Sequence, residues 1–102
     1  PVVVVARPLL GGVNHVLLTL AALRDRGLEV TGVVLNDAGS ARDSSSAAVQ
    51  HQETVALIKE LGHAPVFGPL PYQASLEDAW HESIHAVAAD PAIRALADGF
   101  IT

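Results

Sequence analysis

The run Val2-Val3-Val4-Val5-Ala6 decides the fold class of this 102-residue chain. Consecutive β-branched residues without polar alternation are typical of a strand that is covered on both faces, as in the parallel sheets of α/β proteins. Gly11-Gly12 then predicts a turn, and the apolar spacing after it predicts a helix over residues 14–26 that ends at Gly27. A second apolar run predicts a strand over residues 29–35.

The rest of the chain continues the alternation of strands and helices. Residues 36–46 are rich in Asn, Asp, Gly and Ser and predict a loop, whereas residues 47–61 and 64–67 predict a helix and a short strand. The order β-α-β-α-β-α-α predicts an α/β fold in which a parallel sheet is flanked by helices. Because ligands bind at the carboxyl ends of the strands in such sheets, the candidate binding loops are residues 7–12, 36–46 and 68–72.

The last quarter of the sequence predicts two helices. Ser75-Leu76-Glu77-Asp78 has the pattern of a capping box and predicts a helix over residues 76–89. The apolar residues expected to face inward from this helix are Leu76, Trp80, Ile84 and Val87. Asp90-Pro91 predicts the start of a final helix, with Asp as the capping acceptor and Pro at the first helical position.

Composition and charge argue against several classes of function. The net charge is −5 and the six Lys and Arg residues are scattered, whereas nucleic-acid binding requires clustered cations. No apolar run approaches the roughly 20 residues that span a bilayer, and the lack of Cys removes disulfide and thiolate chemistry. We therefore expect no nucleic-acid or membrane partner, and a cytoplasmic location (an organelle matrix if the parent is a fused eukaryotic enzyme).

Two strand-end segments carry groups that suit ligands. Gly11-Gly12-Val13-Asn14 leads into a helix whose free N–H groups suit a carboxylate or phosphate, although a tight turn capped by Asn14 explains the same residues. Asn36-Asp37 offers an amide that suits the exocyclic amine and a ring nitrogen of adenine, and an Asx turn is the alternative. The phosphate-gripping pattern G-x-x-x-x-G-K-[ST] does not occur in this sequence.

Three blocks of sequence, in the right order, resemble dethiobiotin synthetases. Residues 2–19, VVVVARPLLGGVNHVLLT, are similar to a Val-rich strand followed by the family pattern L-G-x-[IVL]-N-H-x-x-L-T. Residues 30–37, VTGVVLND, resemble the family's next strand, which ends in Asn, and residues 65–72, PVFGPLPY, resemble its P-[VL]-L-G-x-[IL]-P segment. The resemblance covers residues 2–78 and implies the C-terminal half of a P-loop NTPase-like doubly wound domain.

The resemblance also implies an activity. The family closes the cyclic urea of dethiobiotin from 7,8-diaminononanoate and CO2, driven by ATP and Mg2+, and works as a homodimer. Because this sequence lacks a phosphate-gripping loop and begins at Pro1, we expect residues 1–102 to form a single partial domain without its N-terminal P-loop half. We expect the Mg2+ ligands and the catalytic residues in that missing half, and the fragment alone to be inactive.

The resemblance assigns two groups of binding residues. The nucleotide-binding positions are Asn36, Asp37, Pro71, Tyr72, Gln73 and Asp78, and the positions that meet the substrate carboxylate are Gly11, Gly12, Val13 and Asn14. Helix capping explains Asp78 equally well. Thr54 stands where some family members place an aromatic hydroxyl near the carboxylate, so that contact is not carried over.

His81-Glu82-Ser83-Ile84-His85 has the H-E-x-x-H pattern of zinc peptidases. Such a site requires a third ligand, and neither His nor Glu follows His85, which favours a solvent-exposed helix face and no metal site. A zinc metallopeptidase and a non-catalytic nucleotide-binding module remain the alternatives to a synthetase fragment.

Overall fold

Three strands and four α-helices form the part of the chain that the structure describes, which in this computed structural model comprises residues 1–8, 10–36, 45–71 and 74–101. The strands are β1 (Val2–Ala6), β2 (Val30–Asn36) and β3 (Val66–Leu70). The helices are α1 (Leu10–Asp25), α2 (Ser45–Gly62), α3 (Trp80–Ala88) and α4 (Pro91–Ile101), and a 3₁₀ turn at Ala74–Leu76 precedes α3. None of these helices is long and apolar enough to cross a membrane.

The strands form one parallel sheet in the order β1-β2-β3. β2 is the middle strand, and its residues Val33 and Leu35 are fully buried. In a parallel sheet, each connection runs from the carboxyl end of one strand back to the amino end of the next. The crossovers through α1 and α2 make these two connections. The predicted α/β fold with a parallel sheet and flanking helices is therefore confirmed.

The hydrophobic core lies between the sheet and the helices α1 and α2. Its buried members are Val4, Val13, Val16, Leu20, Val33, Leu35, Ile58 and Ala64. The three from α1 are separated by three and four positions and so share one helix face. Leu20 and Ile58 are no more than 1% exposed, so apolar burial stabilises the fold most strongly around these two side chains.

The opposite face of the sheet is covered unevenly. α4 packs against β3 and β2, and within the described residues it contacts neither α1 nor α2. Val34 alternates with Val33 and Leu35 and is buried, whereas Val5 of β1 is 66% exposed. In the described part of the chain, β1 is therefore open on the face that α4 covers at β2 and β3.

α1 begins at Leu10 rather than at Asn14, so the predicted turn at Gly11-Gly12 and the N-cap at Asn14 are wrong. At Gly12 in the first helical turn, a Cβ would overlap the carbonyl oxygen of Arg7. Glycine is a poor helix former, and here a close backbone approach outweighs that preference. The other end of α1 agrees with the prediction, since Gly27 has a φ of 73° and follows the helix as a left-handed cap.

The ends of α1 and α2 are joined by a hydrogen bond. An Arg24 Nη2 donates to the carbonyl oxygen of His63 at 3.0 Å. α2 ends at Gly62, and the left-handed residue after it is His63, with a φ of 49°. Gly62 itself allows α1 and α2 to pack closely, because a Cβ there would lie only 2.9 Å from Leu20 Cδ1. The contact between the two helices therefore depends on a glycine that the sequence indicated only as a helix stop.

The residues after β3 depart from the prediction. The helix predicted over residues 76–89 is divided into the 3₁₀ turn and the shorter α3, and Ala79 at the start of α3 makes no side-chain capping bond. Ser75 does not form a capping box, since its Oγ pairs with Ser83 Oγ at 2.7 Å. Trp80, expected in the core, is 61% exposed. The predicted cap at Asp90 is confirmed, because Ala92 N–H donates to its Oδ1 at 2.8 Å.

Candidate functional site

A cavity of about 590 Å³ lies at the carboxyl end of β1. Gly11 and Gly12 of α1 line it together with Ala6 and Arg7, and Asn36 at the end of β2 lines it from the neighbouring strand. β1 and β2 are paired and parallel, with Ala6 opposite Leu35, so the residues that follow them emerge at the same edge of the sheet. The structure thus brings residues of the first candidate loop and Asn36, the first residue of the second, to one cavity.

The first turn of α1 presents its backbone to this cavity. The N–H groups of the first helical turn have no intrahelical acceptor, and in α1 they include those of Leu10, Gly11 and Gly12. The space beside Gly11 is open, with no heavy atom within 4 Å of a Cβ placed there. Free N–H groups and the positive end of the helix dipole together favour a carboxylate or a phosphate at this point.

The other two predicted carboxylate-binding residues are placed differently. Val13 is 8% exposed, because its side chain belongs to the core under the sheet. Asn14 is exposed, lies inside α1 and is not among the residues that line the cavity. Of the four positions, Gly11 and Gly12 therefore border the cavity, whereas Val13 and Asn14 are not among its lining residues.

The register of β3 places the third loop beside Asn36. Val34 pairs with Phe67 but Asn36 pairs with Leu70, so β3 contains one more residue than β2 over this interval. The irregularity falls at Gly68, whose φ of 100° is unfavourable for other residues. Residues 68–70 of the predicted third loop therefore belong to β3. Pro71 follows directly after Leu70, the residue opposite Asn36.

The remaining predicted nucleotide-binding residues divide into two groups. Asp37, Tyr72 and Gln73 lie outside the described residues. Asp78 is exposed in the turn between the 3₁₀ turn and α3, and it is not among the residues that line the cavity. Asn36 and Pro71 are thus the two described positions that the sheet brings to one place.

Two basic side chains of the cavity were not assigned a role from the sequence. Arg7 follows β1 directly, and His15 lies one helical turn after Gly11 on the same side of α1. Thr19, one turn further, donates its hydroxyl to the carbonyl oxygen of His15 at 2.7 Å. Gly11, His15 and Thr19 are spaced four residues apart, and residues four apart lie on the same face of a helix. This spacing is the feature of the sequence that indicates which helix face borders the cavity.

The donor set of the cavity suits an anion or a base better than a metal ion. Its described lining offers backbone N–H groups, an amide, a guanidinium and an imidazole, and it includes no carboxylate. Mg2+ prefers oxygen ligands, of which carboxylates are the usual protein source. The described lining therefore suits an anion or a polar heterocycle, and it contains no carboxylate that could bind Mg2+.

The H-E-x-x-H residues occupy one short, exposed helix. His81 and His85 are both exposed, as expected, and their ring centroids are 5.2 Å apart at an interplanar angle of 84°. Among the described residues there is no group of three potential metal ligands, so the third ligand of a peptidase zinc site is not supplied by that part of the chain.

Comparison with known proteins gives a consistent result over the first three quarters of the chain. The family model described as an AAA domain matches residues 1–79. The chain is 38% identical over 76 residues to an ATP-dependent dethiobiotin synthetase BioD of Thermodesulfovibrio yellowstonii, covering 74% of this chain and 30% of that protein. It is 43% identical over 72 residues to the protein of the same name from Bacillus thuringiensis strain Al Hakam, covering 71% and 28%.

These relatives are much longer than the matched segment. The similarity to the same-named protein of Bacillus cereus strain ATCC 14579, 43% over 74 residues, likewise spans 28% of that protein. No solved structure matches the chain. The matched residues include β1, α1, β2, α2 and β3, whereas α3 and α4 follow the end of the family model at residue 79.

Proposed function

Because the chain belongs to the AAA domain family and is similar to ATP-dependent dethiobiotin synthetases over 74% of its length, we propose that it is part of an ATP-dependent ligase of biotin biosynthesis. The reaction is closure of the cyclic urea of dethiobiotin from 7,8-diaminononanoate and CO2. The observation that carries the proposal is the shared cavity, which places helix N–H groups and the Asn36 amide at one edge of the sheet.

The nucleotide base binds at the ends of β2 and β3. The Asn36 amide can accept a hydrogen bond from the exocyclic amine of adenine and donate one to a ring nitrogen. Pro71, one residue past the partner of Asn36 in the sheet, supplies an apolar surface for the ring. Asp37, Tyr72, Gln73 and Asp78 complete the nucleotide-binding group. Bound ATP supplies the phosphoryl group that activates the carboxylated substrate.

The carboxylate of the diamino acid binds at the start of α1. The N–H groups of Gly11, Gly12 and Val13 point towards the N-terminal end of the helix, where a negative charge is stabilised by about 0.3–1 kcal/mol from the helix dipole alone. Asn14 is the fourth position of the group that the resemblance implies, but it is not among the residues that line the cavity. Gly12 keeps the backbone of this turn close to Arg7, since any larger residue would overlap the Arg7 carbonyl.

The rest of the catalytic machinery lies elsewhere in the protein. The matched segment spans 28–30% of the relatives, and the sequence contains no phosphate-gripping loop. Residues 1–102 are therefore proposed as one partial domain, and the N-terminal half supplies that loop, the Mg2+ ligands and the catalytic groups. We further propose a homodimer in the cytoplasm, as the resemblance to the family implies.

The test is an assay of the complete protein, with dethiobiotin measured after incubation with ATP, Mg2+, bicarbonate and 7,8-diaminononanoate. Asn36→Asp replaces an amide that both donates and accepts with a carboxylate that only accepts. We expect it to raise the KM for ATP by roughly tenfold, because a lost hydrogen bond to a buried partner costs about 1–3 kcal/mol. The KM for the diamino acid should change much less.

Asp98→Asn is the matched control, since it makes the reverse exchange of amide and carboxylate at an exposed position of α4. A complete, folded wild-type protein that makes no dethiobiotin would contradict the proposal. If that protein nevertheless bound adenine nucleotides and Asn36→Asp weakened the binding, the chain would instead be a non-catalytic nucleotide-binding module.

A further inference from the structure

Two histidines lie one helical turn apart on the exposed surface of α3. His81 and His85 are four residues apart, so their side chains leave the helix on the same side. Their rings are in contact, with centroids 5.2 Å apart in an edge-to-face arrangement. Both side chains are exposed, which leaves their ring nitrogens accessible to a solute.

This arrangement suits a divalent transition-metal ion. Imidazole is a good ligand for Cu2+, Ni2+ and Zn2+. When two imidazoles lie on one helix face, an ion bound by the first is already close to the second, which raises the affinity of the pair for the ion. Rotation about the side-chain bonds of exposed residues is rapid, so the rings can turn their nitrogens towards a shared ion. We propose that His81 and His85 form a two-histidine site for such an ion.

The surroundings of the pair favour a cation. Glu77, Asp78 and Glu82 are exposed close to the pair in sequence, and clustered negative charges raise the local concentration of cations. Because the described residues supply no group of three ligands, the ion keeps water in its other coordination positions. The site therefore differs from a peptidase zinc site, and it carries no proteolytic activity.

Metal binding also stabilises α3. The helix has only nine residues and no side-chain cap at Ala79, and a helix this short is marginal without tertiary contacts. An ion that bridges His81 and His85 binds the helical conformation more tightly than the unfolded one, so it shifts the equilibrium towards the helix by mass action. The site lies beyond the part of the chain that matches the AAA domain family, and it is independent of the proposed ligase activity.

The experiment is calorimetric titration of the metal-free protein, after chelator treatment and dialysis, with CuCl2, NiCl2 and ZnCl2 in turn. We expect saturable binding of one metal ion per chain, which requires both histidines. The affinity should be highest for Cu2+, in agreement with the Irving–Williams order. Electron paramagnetic resonance of the Cu2+ complex should show coupling to two imidazole nitrogens. His85→Ala should abolish this binding.

The double variant His85→Ala/Ala86→His is the decisive control, because it keeps the number of histidines but moves one ring to another side of the helix. It should lose this binding as well, whereas His63→Ala, which removes an exposed histidine outside α3, should retain it. Binding that survives in the double variant, or a wild-type protein that shows no saturable equivalent for any of the three ions, would overturn the proposal.

Discussion

The segment from β1 to β2 and the tail from Ala74 to Ile101 are built on different principles. In the first segment, apolar side chains such as Leu20 and Leu35 are wholly buried between a helix and the sheet. In the tail, α3 buries Ser83 and leaves Trp80 mostly exposed. The comparison shows that the apolar pattern specifies structure where a helix crosses a sheet, and specifies it poorly where a short helix lies at the edge of the molecule.

The largest expected effect is in the core of the first segment. Leu20→Ala should lower the free energy of unfolding by about 2–5 kcal/mol, since it removes a fully buried side chain and leaves a cavity. Leu18→Ala is the matched control two positions away, because Leu18 is 70% exposed, and it should change stability by less than about 0.5 kcal/mol. Urea unfolding of the protein measures both, and equal losses would remove the contrast between core and surface.

The two glycines of α1 offer a sharper contrast within one helical turn. Gly12→Ala should destabilise the protein by about 1–3 kcal/mol, because the new methyl group overlaps the Arg7 carbonyl and the turn must shift. Gly11→Ala meets open space and should be neutral or stabilising by up to about 1 kcal/mol, from helix propensity. Thermal unfolding of the two variants side by side tests this, and a destabilised Gly11→Ala would contradict the described start of α1.

Gly68, at the irregular register of β3, should also tolerate alanine poorly. Gly68→Ala should cost about 1–3 kcal/mol, because its φ of 100° is unfavourable for alanine and its Cβ would lie 2.7 Å from the Leu35 carbonyl oxygen. Gly99→Ala in α4 is the control, since its Cβ would make only an ordinary contact at 3.7 Å. Chemical denaturation provides the measurement. A tolerated alanine at Gly68 would show that the register does not depend on that residue.

The smallest effect is expected in the tail. Ser75→Ala and Ser83→Ala should each cost about 1 kcal/mol, the net value of a typical hydrogen bond, because their hydroxyls bond to each other. The double variant should cost less than the sum of the two single ones, which is the signature of a direct interaction. Strictly additive losses in a double-mutant cycle would show that the two hydroxyls act separately.

Much of the fold could be predicted from the sequence, because strand and helix patterns alternate and parallel pairing then follows. The left-handed cap at Gly27 and the acceptor at Asp90 were also predictable, since both depend on residues within one turn of the helix end. The start of α1 was not, because the contact of Gly12 with the Arg7 carbonyl favours glycine in a helix for a reason outside helix propensity. The exposure of Trp80 depends on what α3 packs against, which its own sequence does not encode.

The candidate site likewise contains residues whose position the sequence predicts and residues whose position it does not. Parallel topology predicts that Gly12 and Asn36 lie at the same edge of the sheet. Gly12 comes soon after β1, and Asn36 is the last residue of β2. Arg7 and His15 also line the cavity. The four-residue spacing between Gly11 and His15 indicates a shared helix face, whereas Arg7 lies in the loop after β1, where no periodicity identifies it. The resemblance to the family implied a role for Asn14, but α1 starts four residues before it, so its N–H group lies within the helix.

The position of Asn36 on the middle strand affects how strongly a ligand can be held there. β2 is hydrogen-bonded to a neighbour on each side, and Asn36 pairs with Leu70 of β3, so the backbone that carries this amide is held in the sheet before any ligand binds. The conformational entropy lost on binding is then confined to the rotation of one short side chain, which preserves more of the interaction energy as affinity. A residue at the tip of a free loop would lose backbone freedom as well.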